Sequence, residues 1–202
     1  MRIFITALTL CITFTLTSSA LAKSKRGFSS SISAPVTTAI KLDIQIGEDL
    51  AYRANNLPKK SSQRGISPRS SGFAQNGYYG DRELTRLAAR IENRFAHQFE
   101  KRGLTLSDNA PTVLRITLTD AKPNRPTMKQ MSKEPGLSYR SFGNGGAALE
   151  AMLVSASGED LGEFSYSWYE TNINDGFVGN TWSDANRSIE RFAKHTAKTL
   201  AQ

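Results

Sequence analysis

Cysteine is almost absent from this chain. Its 202 residues hold one, Cys11, inside an N-terminal apolar stretch. Everything beyond residue 22 is free of cysteine, which excludes disulfides, a thiol nucleophile and any thiolate metal site there. Histidine is nearly as scarce, with His97 and His195 the two in the chain. Projected on their helices, both fall off the apolar face, which predicts solvated surface positions. No G-x-S-x-G elbow accompanies them and there is no H-E-x-x-H, so the sequence implies neither a catalytic triad nor zinc, and no cofactor of any kind. The glycine cluster "GNGG" at 143–146 lacks the spacing of a phosphate loop and precedes a strand where such a loop opens a helix. The acidic pairs Glu48-Asp49 and Glu159-Asp160 sit at a strand end and in a tight turn. Nothing in their placement shows the cleft and fixed separation that two-carboxylate glycan hydrolysis needs.

What the chain does have begins at its N-terminus. Arg2 precedes an uncharged stretch over residues 3–17, and Ala20-Leu21-Ala22 follows it. That layout predicts a secretory signal peptide over residues 1–22, cleaved after Ala22, and a periplasmic product. The apolar stretch is shorter than the roughly 20 residues that a membrane-spanning helix needs, and no later run is long enough either. The expectation is therefore a mature chain with no transmembrane segment.

Residues 23–36 read as a flexible N-terminal segment, and 37–202 as a single domain. Period-two alternation predicts strands over 37–47 and 112–120, and again on each side of "SGED", where the short turn makes an antiparallel hairpin. Apolar residues at three- and four-residue steps predict helices over 81–103, stopped by Gly103, and over the C-terminal segment from Thr181. Phe95, Ile116, Trp168 and Phe192 are the expected core anchors. The order β-α-β-β-β-α predicts an α+β two-layer sandwich, with a mainly antiparallel four-stranded sheet and two helices on one face.

Two stretches, 53–80 and 121–146, are rich in Ser, Asn, Gly and Pro and predict long irregular loops. They also carry the excess charge. The first holds five basic residues and no acid; the second holds five against Glu134 alone. The chain past residue 22 has 25 basic and 18 acidic residues, so its remainder is slightly acidic, at about −2. Lys59, Lys60, Arg64, Arg69, Lys122, Arg125 and Lys129 are thus the candidate contacts to an anionic surface. The alternative is that they are merely solvated. Export argues against nucleic acid as the partner and for an anionic envelope component or another envelope protein. Phe73, Tyr78, Tyr79, Tyr139, Phe142 and Phe177 also lie in irregular segments, where they either dock on the domain or serve as contact anchors.

The long helix before "TVLRITLTD", the hairpin "AALEAMLVSASGEDLGEFSYSW" and the terminal "TWSDANRSIERFAKHTAKTL" together resemble small envelope proteins of Gram-negative bacteria, many of them lipoproteins. This chain departs from them in having Lys23 where a lipidated cysteine would stand. The resemblance implies a fold and an envelope role and transfers no catalytic residue. The expected function is a non-enzymatic periplasmic binding or assembly module. The alternative is a periplasmic hydrolase acting on envelope glycan.

Overall fold

The structure, a computed structural model, describes residues 27–32, 34–59, 72–172 and 179–202. The predicted signal peptide and the loop cations Lys60, Arg64 and Arg69 lie outside the described residues, as does Phe177. Five strands form one sheet: β1 (Gly27–Ser30), β2 (Ile40–Ile46), β3 (Thr112–Lys122), β4 (Gly146–Val154) and β5 (Asp160–Tyr169), in the order β1-β5-β4-β3-β2. Among the described residues, four α-helices accompany them: α1 (Glu48–Arg53), α2 (Asp81–Glu100), α3 (Met128–Lys133) and α4 (Ser183–Leu200).

The α+β class is as expected, but the sheet is five-stranded and mixed, not four-stranded and mainly antiparallel. β2 and β3 run parallel, Leu42 beside Leu114 and Ile44 beside Ile116. Parallel neighbours need a long crossover, and α2 supplies it. Alternation along a strand reports which face is buried, not which way its neighbour runs, so the sequence pattern was silent on this point. β1 is the added strand; it pairs antiparallel with β5, Phe28 beside Tyr166. Four residues, Gly-Phe-Ser-Ser, are too few to show a period.

One face of the sheet is covered and apolar. Leu114, Ile116 and Leu118 of β3 stand opposite Leu153, Ala151 and Leu149 of β4, all buried. Phe164 and Tyr166 continue the layer on β5. α2 lays Leu84, Leu87, Ile91, Phe95 and Phe99 onto it, and α4 lays Ile189, Phe192, Ala193 and Leu200. Phe95 lies 5.8 Å from Phe99 and 5.7 Å from Phe192 between ring centroids, both edge-on, which locks the two helices together. Of the expected anchors, Phe95, Ile116 and Phe192 are fully buried, and Trp168 is partly so. α2 stops as its sequence predicts: Gly103 takes φ 69°, and the Leu104 N–H reaches back to the Phe99 carbonyl at 3.0 Å.

The two irregular stretches hold more structure than their composition suggests. α3 lies within the second, started by a capping box in which Thr127 and Gln130 bond each other's backbone N–H. The Gln130 side chain also donates to the carbonyls of Phe73 (2.8 Å) and Gly77 (2.9 Å), pinning the end of the first stretch to the second. Phe73 and Tyr79 dock into the domain, whereas Tyr139 stays 58% exposed.

Candidate functional site

α2 and α4 lie side by side and run the same way. At their N-terminal ends Trp182 Nε1 donates to Glu83 Oε2 at 2.9 Å. Farther along, Gln98 Nε2 donates to Glu190 Oε1 at 2.8 Å, and Arg94 Nε lies 3.0 Å from Glu190 Oε2. Each helix turns its apolar stripe inward and a basic stripe outward. On α2 the stripe is Arg82, Arg86, Arg90 and Arg94 at four-residue steps, with Lys101 and Arg102 just past the end; on α4 it is Arg187, Arg191, Lys194 and Lys198. Residues four apart lie on one helix face, so these repeats are rows of charge.

Where the rows meet, at the C-terminal end of α2 and the middle of α4, they wall an open groove of about 470 Å³. Lys101 and Arg102 line one side, Arg187, Arg191 and Lys194 the other, with His97 at the margin. Glu190 is the one carboxylate in the lining, and Arg94 and Gln98 already engage it. Among the described residues, no carboxylate stands within ion-pair distance of Lys101, Arg102, Arg191 or Lys194. Cations at a helix C-terminus offset the dipole there, which accounts for some of this charge. Arg187 also pairs with Asp184 at 3.4 Å, and Arg187 and Arg191 both lie over the Trp168 ring, at 5.6 and 4.6 Å, which leaves Lys101, Arg102 and Lys194 as the groove's excess charge. His195, exposed on α4 with its ring 5.2 Å from Phe28, registers the result. Partial burial lowers its pKa first, and Lys194, Lys198, Arg102 and Arg191 lower it further.

The described members of the sequence-predicted contact set hold separate internal partners. Lys59 lies 4.0 Å from Asp49 and over the Tyr52 ring. Lys122 is held 4.5 Å over the Tyr169 ring; burial lowers its pKa, and Asp120 opposes that shift. Arg125 donates to the carbonyls of Gly179 (2.9 Å) and Tyr139 (2.8 Å), and Lys129 donates to Asn55 Oδ1. These contacts tie loops to the domain. His97 and His195 are exposed, as their helix positions predict. The glycan-hydrolase alternative requires two carboxylates facing across a cleft. The groove beside His97 presents Glu190 alone, already ion-paired.

The helix cations escaped the sequence reading because charge was counted by segment. Residues 81–102 and 183–200 carry ten basic side chains against six acidic ones, so their net charge looks modest. The four-residue spacing of the basic set was the signal available, since it sorts the charges by face.

No protein-family model matches the sequence, and no curated protein matches it. Among solved structures, the fold is similar to a PelC dodecamer from Paraburkholderia phytofirmans, at 9% identity and a TM-score of 0.45 over 87% of this chain and 96% of that one. A variant PelC dodecamer from the same organism matches at 9% identity and a TM-score of 0.44, over 87% of this chain and 97% of that one.

Proposed function

We propose that this chain is a non-enzymatic binding module of the bacterial envelope, exported to the periplasm, and that the α2–α4 groove is where it takes an anionic envelope component. The observation that carries the reading is the groove's lining: Lys101, Arg102, Arg191 and Lys194, none with a carboxylate in ion-pair distance among the described residues, around one carboxylate that Arg94 already neutralises. A low-dielectric helix pair beneath such a cluster concentrates its field and draws an anionic partner from a distance. Lys59, Lys60, Arg64 and Arg69 extend the attraction from the first loop.

The test is co-sedimentation with anionic vesicles, with lipopolysaccharide and with isolated cell-wall sacculi, at low and high salt. The native protein should be retained by at least one of these at low salt and released at high salt, because the screening length falls from about 10 Å at 0.1 M to about 3 Å at 1 M. The double variant Lys101→Glu, Lys194→Glu changes two exposed side chains and should abolish retention. Neutralising the four loop cations should weaken it less. Retention equal in the groove variant moves the site to the loops; no retention by any anionic material removes the reading altogether.

A further inference from the structure

A second, separate recess lies on the same helix seam, sharing no lining residue with the groove. Toward the N-terminal ends of α2 and α4, a recess of about 280 Å³ lies between Arg86 and Arg90 on one side and Asn180 and Asn186 on the other. Tyr139 and Met128, brought over by the β3–β4 connection, form its rim. They are the two most exposed large apolar side chains in the recess, at 58% and 74%. The chemistry here differs from that at the other end: an open aromatic face, two side-chain amides and two guanidinium groups. Glu83, the carboxylate in this lining, is occupied by Trp182 (2.9 Å) and by Arg86 (2.7 Å).

From Arg86 to Lys101 is fifteen residues, about 22 Å along the helix axis. A single small anion reaches one compartment. A chain laid in the seam reaches both, and meets Arg86, Arg90 and Arg94 at intervals of about 6 Å and then Lys101 about 10 Å farther on. A bilayer presents a plane of headgroups, which suits a convex basic surface better than charges set in the walls of a groove.

We infer, building on the proposed anion-binding reading, that the ligand of the α2–α4 seam is an extended acidic polysaccharide. One sugar ring rests on Tyr139 in the N-terminal recess and the following units lie along the cations toward Lys101 and Lys194. A sugar ring offers an apolar C–H face to an aromatic ring and hydroxyls to amides, and a carboxylate on the ring pairs bidentately with arginine. The recess supplies all three kinds of partner, whereas a chain of phosphates would use the amides and guanidinium groups but leave the Tyr139 ring face without a role.

The experiment is titration calorimetry of the whole exported protein with galacturonate oligomers, from the monomer upward. Polyphosphate and anionic vesicles serve as the other arms, and the His195 ring proton is followed by NMR. Affinity should rise with oligomer length until the chain spans both compartments and then level off. Tyr139→Ala keeps the backbone carbonyl that Arg125 holds; it should weaken long oligomers by about tenfold and leave polyphosphate unchanged. Bound polyanion should raise the His195 pKa, since it cancels the surrounding positive field. Length-independent binding, or polyphosphate binding as tightly with Tyr139→Ala silent toward every ligand, overturns the polysaccharide assignment while the anion site stands. Binding to vesicles alone overturns it too. No binding in any arm overturns the anion site itself.

Discussion

Asp120 joins three elements at one point. Its Oδ1 lies 2.6 Å from Arg53 Nη2 of α1, and its Oδ2 accepts from the Tyr169 hydroxyl of β5 at 2.5 Å. Arg53 also donates to the Tyr79 hydroxyl at 3.3 Å, which in turn donates to the Ala74 carbonyl at 2.8 Å. A bulge between Leu118 and Asp120 makes this possible, because it puts Leu118 and Ala121 in the core and turns Asp120 and Lys122 to the other side. Burial pushes the Tyr79 pKa up to about 12, against the pull of Arg53. Burial raises Tyr169 further, and the Asp120 carboxylate adds to the shift. Both phenols thus keep their protons beyond the pH near 10 at which an unfolded tyrosine gives its proton up. Their contribution to stability is complete below pH 10 and declines as the pH rises from about 10 to 12 and beyond. In a spectrophotometric titration, Tyr79 and Tyr169 should ionise late, together with loss of the near-UV circular dichroism. If Tyr79 and Tyr169 ionised near pH 10 with the fold intact, this network would be open to solvent.

At the scale of elements, length and period decided what could be read from sequence. α2 and α4 are long and show the 3.6-residue period throughout, and the β4–β5 hairpin alternates cleanly around its turn; all three stand where the pattern puts them. β1, α1 and α3 span four to six residues, less than two periods of a helix; β1 falls in the segment that reads as flexible, α3 in one whose composition suggests loop, and α1 mostly between the predicted strand and the predicted loop. α3 had one local sign, the Thr127–Gln130 capping pair, set in a proline- and glycine-rich stretch that argued the other way. Long-range polar ties were less legible still. Asp184, in the first turn of α4, is 2% exposed; it accepts from Asn124 Nδ2 and from the Gly145 N–H at 3.3 Å, while its own N–H donates to Asn124 Oδ1 at 2.9 Å. A Cβ at Gly145 would stand 2.5 Å from Asn124 Oδ1, so the glycine that looked like a loose turn is required by this clamp. Asp184→Ala removes, in a buried site, the acceptor of the Gly145 N–H and one of two acceptors of the Asn124 amide, and it takes away the ion-pair partner of Arg187. It should cost about 2–4 kcal/mol in urea unfolding. A loss below about 0.5 kcal/mol would mean that the β3–β4 connection is held by its apolar contacts alone.

At the scale of the whole molecule, positive charge is concentrated on the helix layer. The two long helices and the end of α2 carry ten basic residues against six acidic ones, while the strands and hairpin turn are mixed, with Asp43, Glu150, Glu159, Asp160 and Glu163 beside Lys41, Arg115 and Lys122. The cations of the α2–α4 seam repel one another whenever no anion lies between them, and the fold holds them together through Phe95, Phe99 and Phe192 beneath. Low salt should therefore destabilise the free protein. Between about 10 mM and 150 mM sodium chloride the screening length falls from about 30 Å to about 8 Å, and the melting temperature should rise by about 2–4 °C for each kcal/mol of repulsion relieved. The Lys101→Glu, Lys194→Glu variant exchanges like-charge neighbours for opposite ones, so its melting temperature should respond weakly to salt or fall. If the native protein melted at a constant or lower temperature as chloride rose, the six described ion pairs would outweigh the seam, and its cations would be too well solvated to form a concentrated site.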